Sequence, residues 1–198
     1  MSTFNLLKKN DGLTNYYYYS DEFSDEDIHK IIELSKNYPV VDGNVSGQVD
    51  FSYRKSEIKW FPLNDETRFI YDKIMYLLKD ANSKMWNFNV TNIVDSVQIS
   101  EYNAGSENEK DGGHYDWHMD FGTNASSTRK ISLSVQLTDE MEYEGGDLEF
   151  MIHRNITKAP RKKGTAVFFP SYITHRVTKV TKGQRRSLVF WIHGPPFV

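Results

Sequence analysis

Apolar residues change their spacing once along this chain, near residue 90. Before that point Ile28, Ile31, Ile32 and Leu34 recur at roughly helical intervals. Ser24 precedes them as an N-cap, and Asp25, Glu26 and Asp27 suit the positive end of a helix dipole. Pro39 stops the run. A second helix is predicted from about Asn64 or Asp65 to Asn82, with Phe69, Ile70, Ile74, Leu77 and Leu78 on its apolar side. Between the two, Val41 to Phe51 carries Gly43 and Gly47 among polar residues and reads as a loop able to act as a lid. The run Tyr16 to Tyr19 reads as an early strand or a packing segment.

From about Thr91 onward the pattern becomes one of short strand-like runs separated by Gly, Asn, Asp and Lys. Strands are predicted at Ser96 to Tyr102, Tyr115 to Phe121, Ile131 to Leu137, Leu148 to Ile152, Thr165 to Phe169 and Arg185 to Ile192. Strands in unbroken series, with no helix between them, indicate an antiparallel sandwich or jelly roll instead of a parallel α/β sheet. The expected class is α+β, one domain over 1–198, with a helical part over about 1–90 and a jelly-roll core over about 91–198. Asn103 to Gly113, charged and glycine-rich, is expected to be a mobile loop leading into the next strand.

Composition narrows the chemistry. A chain of 198 residues with 38 % apolar, 26 % charged and 14 % aromatic residues is a globular protein and not a disordered one. A net charge of −3 lacks the basic excess of a protein held on nucleic acid by its phosphates. No apolar h-region lies in Met1 to Gly12, and no apolar run approaches the roughly 18 residues of a membrane span, so a soluble cytoplasmic protein is expected. The absence of cysteine leaves only His, Asp, Glu and water to hold a metal.

Along a strand, His118 and Asp120 share one face while Trp117, Met119 and Phe121 share the other, so an imidazole and a carboxylate can grip one ion from one side. By the same alternation Tyr115 falls opposite His118. The bland alternative is a pair of solvated polar residues. His175 follows the apolar run Val167 to Pro170 and can point back into a barrel mouth, although an isolated histidine there is more often structural. Arg185 comes ten residues later and alternates with Ser187, Val189 and Trp191, whereas Arg186 alternates with Leu188, Phe190 and Ile192. Together, two His and one carboxylate with open positions form the facial triad of non-haem Fe(II) oxygenases. The arginine adds a planar seat for a carboxylate, such as the far end of a keto acid chelated to the metal.

These residues bring out a family likeness. The chain resembles the 2-oxoglutarate- and Fe(II)-dependent dioxygenases of the prolyl 4-hydroxylase and PKHD-type hydroxylase group, from Phe23 to Phe197 and most strongly from Val97. The matching segments are Val97 to Tyr102, Tyr115 to Asp120, Glu144-Gly145-Gly146-Asp147-Leu148-Glu149-Phe150, and His175 to Thr178 followed by Gly183, Arg185 and Trp191. The resemblance implies a double-stranded β-helix, a jelly-roll barrel braced by N-terminal helices. It implies His118, Asp120 and His175 as iron ligands, with Arg185 and Tyr102 on the distal carboxylate of 2-oxoglutarate. Tyr115, Arg129 and Trp191 match cavity-facing positions near substrate and cosubstrate, and Gly145 and Gly146 match the turn feeding the next strand.

The reaction so implied is hydroxylation of a C–H bond with Fe(II), 2-oxoglutarate and O₂, ascorbate as a candidate reductant, and succinate and CO₂ released. A proline in a peptide or protein is the first expected substrate, with no nucleic-acid or membrane partner. Arg185 in place of the lysine of animal and plant prolyl hydroxylases points to a bacterial or phage-type branch. Trp191, six residues after Arg185, stands where nucleobase demethylases carry a second arginine. The alternatives are hydroxylation of a free amino acid or other small molecule, and a non-enzymatic cupin-like metal-binding module. His29, His153 and His193 are read as surface or packing residues, His114 as a poor ligand, and Lys158 to Lys163 as a solvated turn.

Overall fold

The change of spacing corresponds to a change from helices to sheet, though the division is less complete than the pattern suggests. A computed structural model describes residues 15–43, 49–91, 93–106 and 112–196. In chain order the elements are β1 (Tyr17–Tyr19), α1 (Asp25–Ser35), β2 (Val41–Asp42), β3 (Arg54–Lys55), β4 (Glu57–Phe61), α2 (Arg68–Met85), β5 (Val97–Asn103), β6 (His114–His118), β7 (Arg129–Gln136), β8 (Tyr143–Gly145), β9 (Leu148–Ile152), β10 (Asn155–Lys158), β11 (Ala166–Pro170), β12 (His175–Val177) and β13 (Val180–His193). One antiparallel sheet has the order β1-β11-β7-β13-β5-β4-β2, with β8 attached to β13; the other runs β10-β9-β12-β6-β3. Four strands thus come from the part read as helical and extend both sheets. The Tyr16 to Tyr19 run is an early strand, Tyr17 to Tyr19 pairing with Phe168 to Ala166.

Alternation gives the large sheet two different faces. Ile131, Leu133 and Val135 of β7, Leu188, Phe190 and Ile192 of β13, and Val97 and Ile99 of β5 pack with Ile28 and Ile31 of α1 and Ile70, Ile74, Leu77 and Leu78 of α2. The opposite face carries Gln98, Ser100, Ser134, Ser187 and Trp191, which line a cavity shared with Tyr115, His118 and His175 of the small sheet. The largest apolar cluster therefore lies outside the barrel, under the helices, while a smaller one, Leu148 and Phe150 of β9 with Val167 and Phe169 of β11, sits between the sheets beside the polar residues of the cavity.

Boundaries shift where side chains satisfy backbone groups locally. The second helix begins at Arg68 because the Asn64 carboxamide accepts from the Glu66 and Thr67 amides at 3.0 Å, holding a turn. It continues past Asn82 to Met85, and Asn82 then bonds both the amide and the carbonyl of Phe88 at 2.9 Å. β6 stops at His118, three residues short of the expected end, because the chain bends to leave Met119 exposed and Asp120 inside. β13 starts five residues before Arg185, its polar first half paired with β8 and separated from the rest by Gly183 at φ +70°. Of the two expected loops, residues 44–48 and 107–111 lie outside the described residues, while Val41 and Asp42 form β2 and Gly112 and Gly113 are buried. No helix among the described residues is long and apolar enough to cross a membrane.

The cap at Ser24 is present: its hydroxyl accepts from the Asp27 amide at 3.2 Å, and the Asp27 carboxylate accepts from the Ser24 amide at 3.0 Å. Ser24→Ala is expected to cost about 1 kcal/mol, read as a lower urea midpoint with an unchanged slope.

Candidate active site

His118 and His175 face each other across the β6–β12 pair. Each imidazole donates from Nδ1 to a backbone carbonyl two residues back, His118 to Asp116 at 2.7 Å and His175 to Ile173 at 2.9 Å. That fixes the tautomer and leaves both Nε2 lone pairs aimed at the cavity, the arrangement second-neighbour hydrogen bonds give to metal-binding histidines. Asp120 lies 3.8 Å from His118 Nε2 and 3.5 Å from His175 Nε2 through its two oxygens. One ligand atom from each of the three residues falls within 4.8 Å of the others, a cluster able to hold a metal ion. Burial would raise the Asp120 carboxyl, but His175 and His118 beside it, with a bond from Ser132, hold it below the usual carboxylate range.

Strict alternation fails at Tyr115. His175 pairs with His118 but Val177 pairs with Tyr115, so β6 has one more residue than β12 in this interval and bulges. The bulge turns Tyr115 to the His118 side, where the two rings stack with centroids 3.5 Å apart and planes at 13°. The sequence expectation for this face is corrected accordingly, and Tyr115 lines the cavity. His114 is not part of the cluster: its ring is buried, between the carbonyls of Gly112 and Ser52.

The cavity encloses about 930 Å³, with Arg185 on its wall. Arg185 is 1 % exposed and meets only neutral groups, Ser187 Oγ at 3.3 Å and Gln136 Oε1 at 3.1 Å. Its Nε has no partner, and no carboxylate among the described residues pairs with it. A buried guanidinium in that state is costly unless an anion enters. Tyr102 is buried beneath it, 5.5 Å from ring centre to guanidinium carbon, and also lines the cavity. Gly146, at φ +64°, lies against the Arg185 stem; a Cβ there would stand 3.0 Å from Arg185 Cδ. The glycine pair is needed both for its left-handed backbone and for this approach.

Arg129 and Trp191 form another stretch of wall. The Arg129 guanidinium stacks 4.0 Å from the Trp191 ring and donates to Asp95 Oδ2 from Nε and Nη2 at 3.0 and 2.8 Å. His193, read as surface or packing, is buried, 3.0 Å from the same Asp95 oxygen and 2.8 Å from Thr128 Oγ1. The structure thus brings all eight residues singled out from the sequence to one cavity.

Several others on that wall were not foreseen. Gln98, Ser100 and Ser134 were legible, because they alternate with apolar core residues on β5 and β7. Arg54, buried with its guanidinium 4.6 Å from the Tyr115 ring, sits on a two-residue strand that has no periodic signal. Asp95 precedes a strand and looks like any loop acid. Lys158 to Lys163 is more than a solvated turn, because Lys158 and Arg161 both pair with Asp147.

Comparison with known proteins agrees with this geometry. Residues 97–193 match the model of the 2OG-Fe(II) oxygenase superfamily. A PKHD-type hydroxylase of Synechococcus sp. strain CC9311 is 40 % identical over 87 residues, 44 % of this chain and 39 % of that protein. A PKHD-type hydroxylase of Synechococcus sp. strain CC9605 is 27 % identical over 171 residues, 83 % of this chain and 73 % of its own length. The first alignment thus spans about two fifths of its relative. Among solved structures, a prolyl hydroxylase of Trichoplax adhaerens in complex with a hypoxia inducible factor peptide fragment superposes with a TM-score of 0.74 at 13 % identity, covering 90 % of this chain and 83 % of that one. The two-sheet barrel with its two helices is the double-stranded β-helix of such neighbours, as the sequence led one to expect.

The buried cluster makes stability depend on acidity. Burial, and then His175, lowers the His118 pKa from 6.5 to about 3. In the metal-free protein the unfolded chain takes up this proton near pH 6.5 and the folded chain does not, so stability is full above that pH and falls as pH drops toward 3. Asp120, with its lowered pKa, adds a loss in the same direction as pH falls through its folded value. Urea midpoints of the metal-free protein should decline steadily from about pH 6.5 downward, less steeply for His118→Gln; a flat wild-type profile would contradict the assignment.

Proposed function

Residues 97–193 are a 2OG-Fe(II) oxygenase domain, and from that premise we propose that this chain is a 2-oxoglutarate-dependent hydroxylase with His118, Asp120 and His175 as its iron ligands. The observation that carries the reading is the meeting, in one cavity, of an open-faced His-Asp-His cluster and a buried arginine without an anion. The donor set fits ferrous iron: two neutral imidazoles and one carboxylate, with positions left over for exogenous ligands. The unpartnered Nε and neutral neighbours of Arg185 fit a dicarboxylate whose far end needs a cationic seat. When bound, Fe(II) with 2-oxoglutarate and O₂ supplies the C–H oxidation, with succinate and CO₂ released.

The residues of the chain supply holding and orientation. The two Nδ1 bonds to carbonyls keep both imidazoles turned toward the ion. Arg185, supported by Gln136 and Ser187 and floored by Tyr102, orients the distal carboxylate. Tyr115, Arg129 and Trp191 line the cavity in which the substrate would sit, and the Tyr115 and Trp191 ring faces would exclude water from the reacting carbon. Pairing of β1 with β11, β3 with β6 and β4 with β5 supports treating the N-terminal and C-terminal parts as one domain.

The proposed substrate is a proline in a peptide or protein. Support comes from the fold shared with a prolyl hydroxylase that was solved with a peptide, and from the aromatic wall of Tyr115, Trp191 and Trp60, which suits a pyrrolidine ring.

Protein supplied with Fe(II), ascorbate and 2-oxoglutarate is expected to release succinate in the presence of proline-containing peptides, with one oxygen gained by mass. Succinate release driven only by free amino acids would move the assignment to a small substrate, and neither turnover nor 2-oxoglutarate binding would leave a non-enzymatic metal-binding barrel. Asp120→Ala should weaken iron binding by more than roughly a hundredfold and abolish turnover. Arg185→Ala should raise the 2-oxoglutarate concentration required by roughly thirtyfold or more, with the O₂ requirement little changed; equal effects on both would rule out the carboxylate seat.

A further inference from the structure

Arg161 lies outside the cavity, yet its contacts converge on the turn that backs Arg185. Its side chain is 26 % exposed, and its guanidinium forms a fork over the β8–β9 turn. Nη1 donates to the Gly145 carbonyl at 2.9 Å and to Asp147 Oδ1 at 2.6 Å, while Nη2 donates to the Tyr143 carbonyl at 3.1 Å. The same guanidinium stacks on the Tyr143 ring at 4.3 Å. Three acceptors spread over five consecutive residues, plus the ring face, are thus held by one planar cation, a geometry lysine cannot reproduce.

The inner side of that turn touches Arg185. A Cβ on Gly146 would meet Arg185 Cδ at 3.0 Å and Tyr143 Cε2 at 3.3 Å, so the turn backbone lies against both the arginine stem and the tyrosine ring. Gly145 and Gly146 both have positive φ, +73° and +64°, and such a glycine pair is the most freely rotating kind of backbone when nothing restrains it. On its far side the turn is tied to the chain after β12 through Gly146 N to Lys179 O at 3.1 Å and Asp147 N to Thr178 Oγ1 at 2.8 Å. On its near side the side-chain restraints are Arg161 and the more exposed Lys158, which reaches only Asp147 and Glu149. Arg185 has two long bonds to neutral groups and a free Nε, so the direction of its guanidinium depends on the walls around its stem.

We infer that Arg161 is a positioning residue for the cosubstrate carboxylate: by locking the Gly145-Gly146 turn against Arg185, it sets the guanidinium that receives 2-oxoglutarate. This rests on the reading of the cavity as a 2-oxoglutarate site. The test is calorimetric titration of 2-oxoglutarate into anaerobic Fe(II)-loaded protein, with Fe(II) affinity and thermal unfolding measured in parallel. Arg161→Ala is expected to weaken 2-oxoglutarate binding by roughly three- to thirtyfold, the range of couplings carried through a packed neighbour, with Fe(II) affinity within about twofold. Arg161→Lys keeps the charge beside Asp147 but not the fork, and should weaken binding as well; it also serves where the alanine variant fails to fold. A lowered unfolding temperature with unchanged 2-oxoglutarate affinity in both variants would overturn the inference and leave Arg161 a hairpin clamp, as would full rescue by lysine. Wild-type protein that binds no 2-oxoglutarate would instead overturn the cavity reading itself.

Discussion

A cation buried without a counter-ion governs how the rest of this barrel is arranged. Arg129, Arg161 and Arg176 each have a carboxylate within hydrogen-bonding distance, Asp95, Asp147 and Glu149 respectively. Arg185, more deeply buried than any of them, has only a hydroxyl and a carboxamide as hydrogen-bond partners among the described residues. Leaving a guanidinium in that state costs several kcal/mol, a cost that the anion proposed for this cavity would offset. The polar inner face of the large sheet follows from the same constraint. Ser187 and Gln136 could not be apolar without removing the few contacts Arg185 has, and the largest group of apolar residues lies on the other face, under the helices.

The second requirement is to bring three ligand atoms from two stretches of chain to one point. Direct pairing of His118 with His175 supplies two of them, and backbone carbonyls fix both rings. The third depends on the chain leaving the sheet after His118, so that Asp120 turns inward and takes a bond from Ser132. The bulge that precedes this bend has a separate effect, because it carries Tyr115 across the sheet to stack on the His118 ring. One irregularity in one ladder therefore helps decide which residues line the cavity.

Around these centres the wall is held by ion pairs set just outside it. Asp95 keeps Arg129 flat on Trp191, and Arg176, bonded to Glu149, stacks 4.5 Å from the cavity-lining Trp117. In both cases an arginine held by a carboxylate lies against an aromatic ring that lines the cavity. Rings held in this way lose little further freedom when a ligand enters.

Much of this was legible in the amino-acid sequence. Apolar spacing distinguished two helices from a sheet core, because burial imposes a period of 3.6 or 2 on any element with one covered face. The absence of cysteine confined any metal to nitrogen and oxygen ligands, and four ordered segments marked the triad and Arg185. Tertiary structure alone decided the side on which Tyr115 stands, because a bulge is a property of two paired strands and has no signature in one of them. It alone brought Asp95 to Arg129, Arg54 to Tyr115 and Arg161 to the turn behind Arg185. Those contacts join residues from separate segments, and nothing in the periodicity of one segment records what another will be folded against.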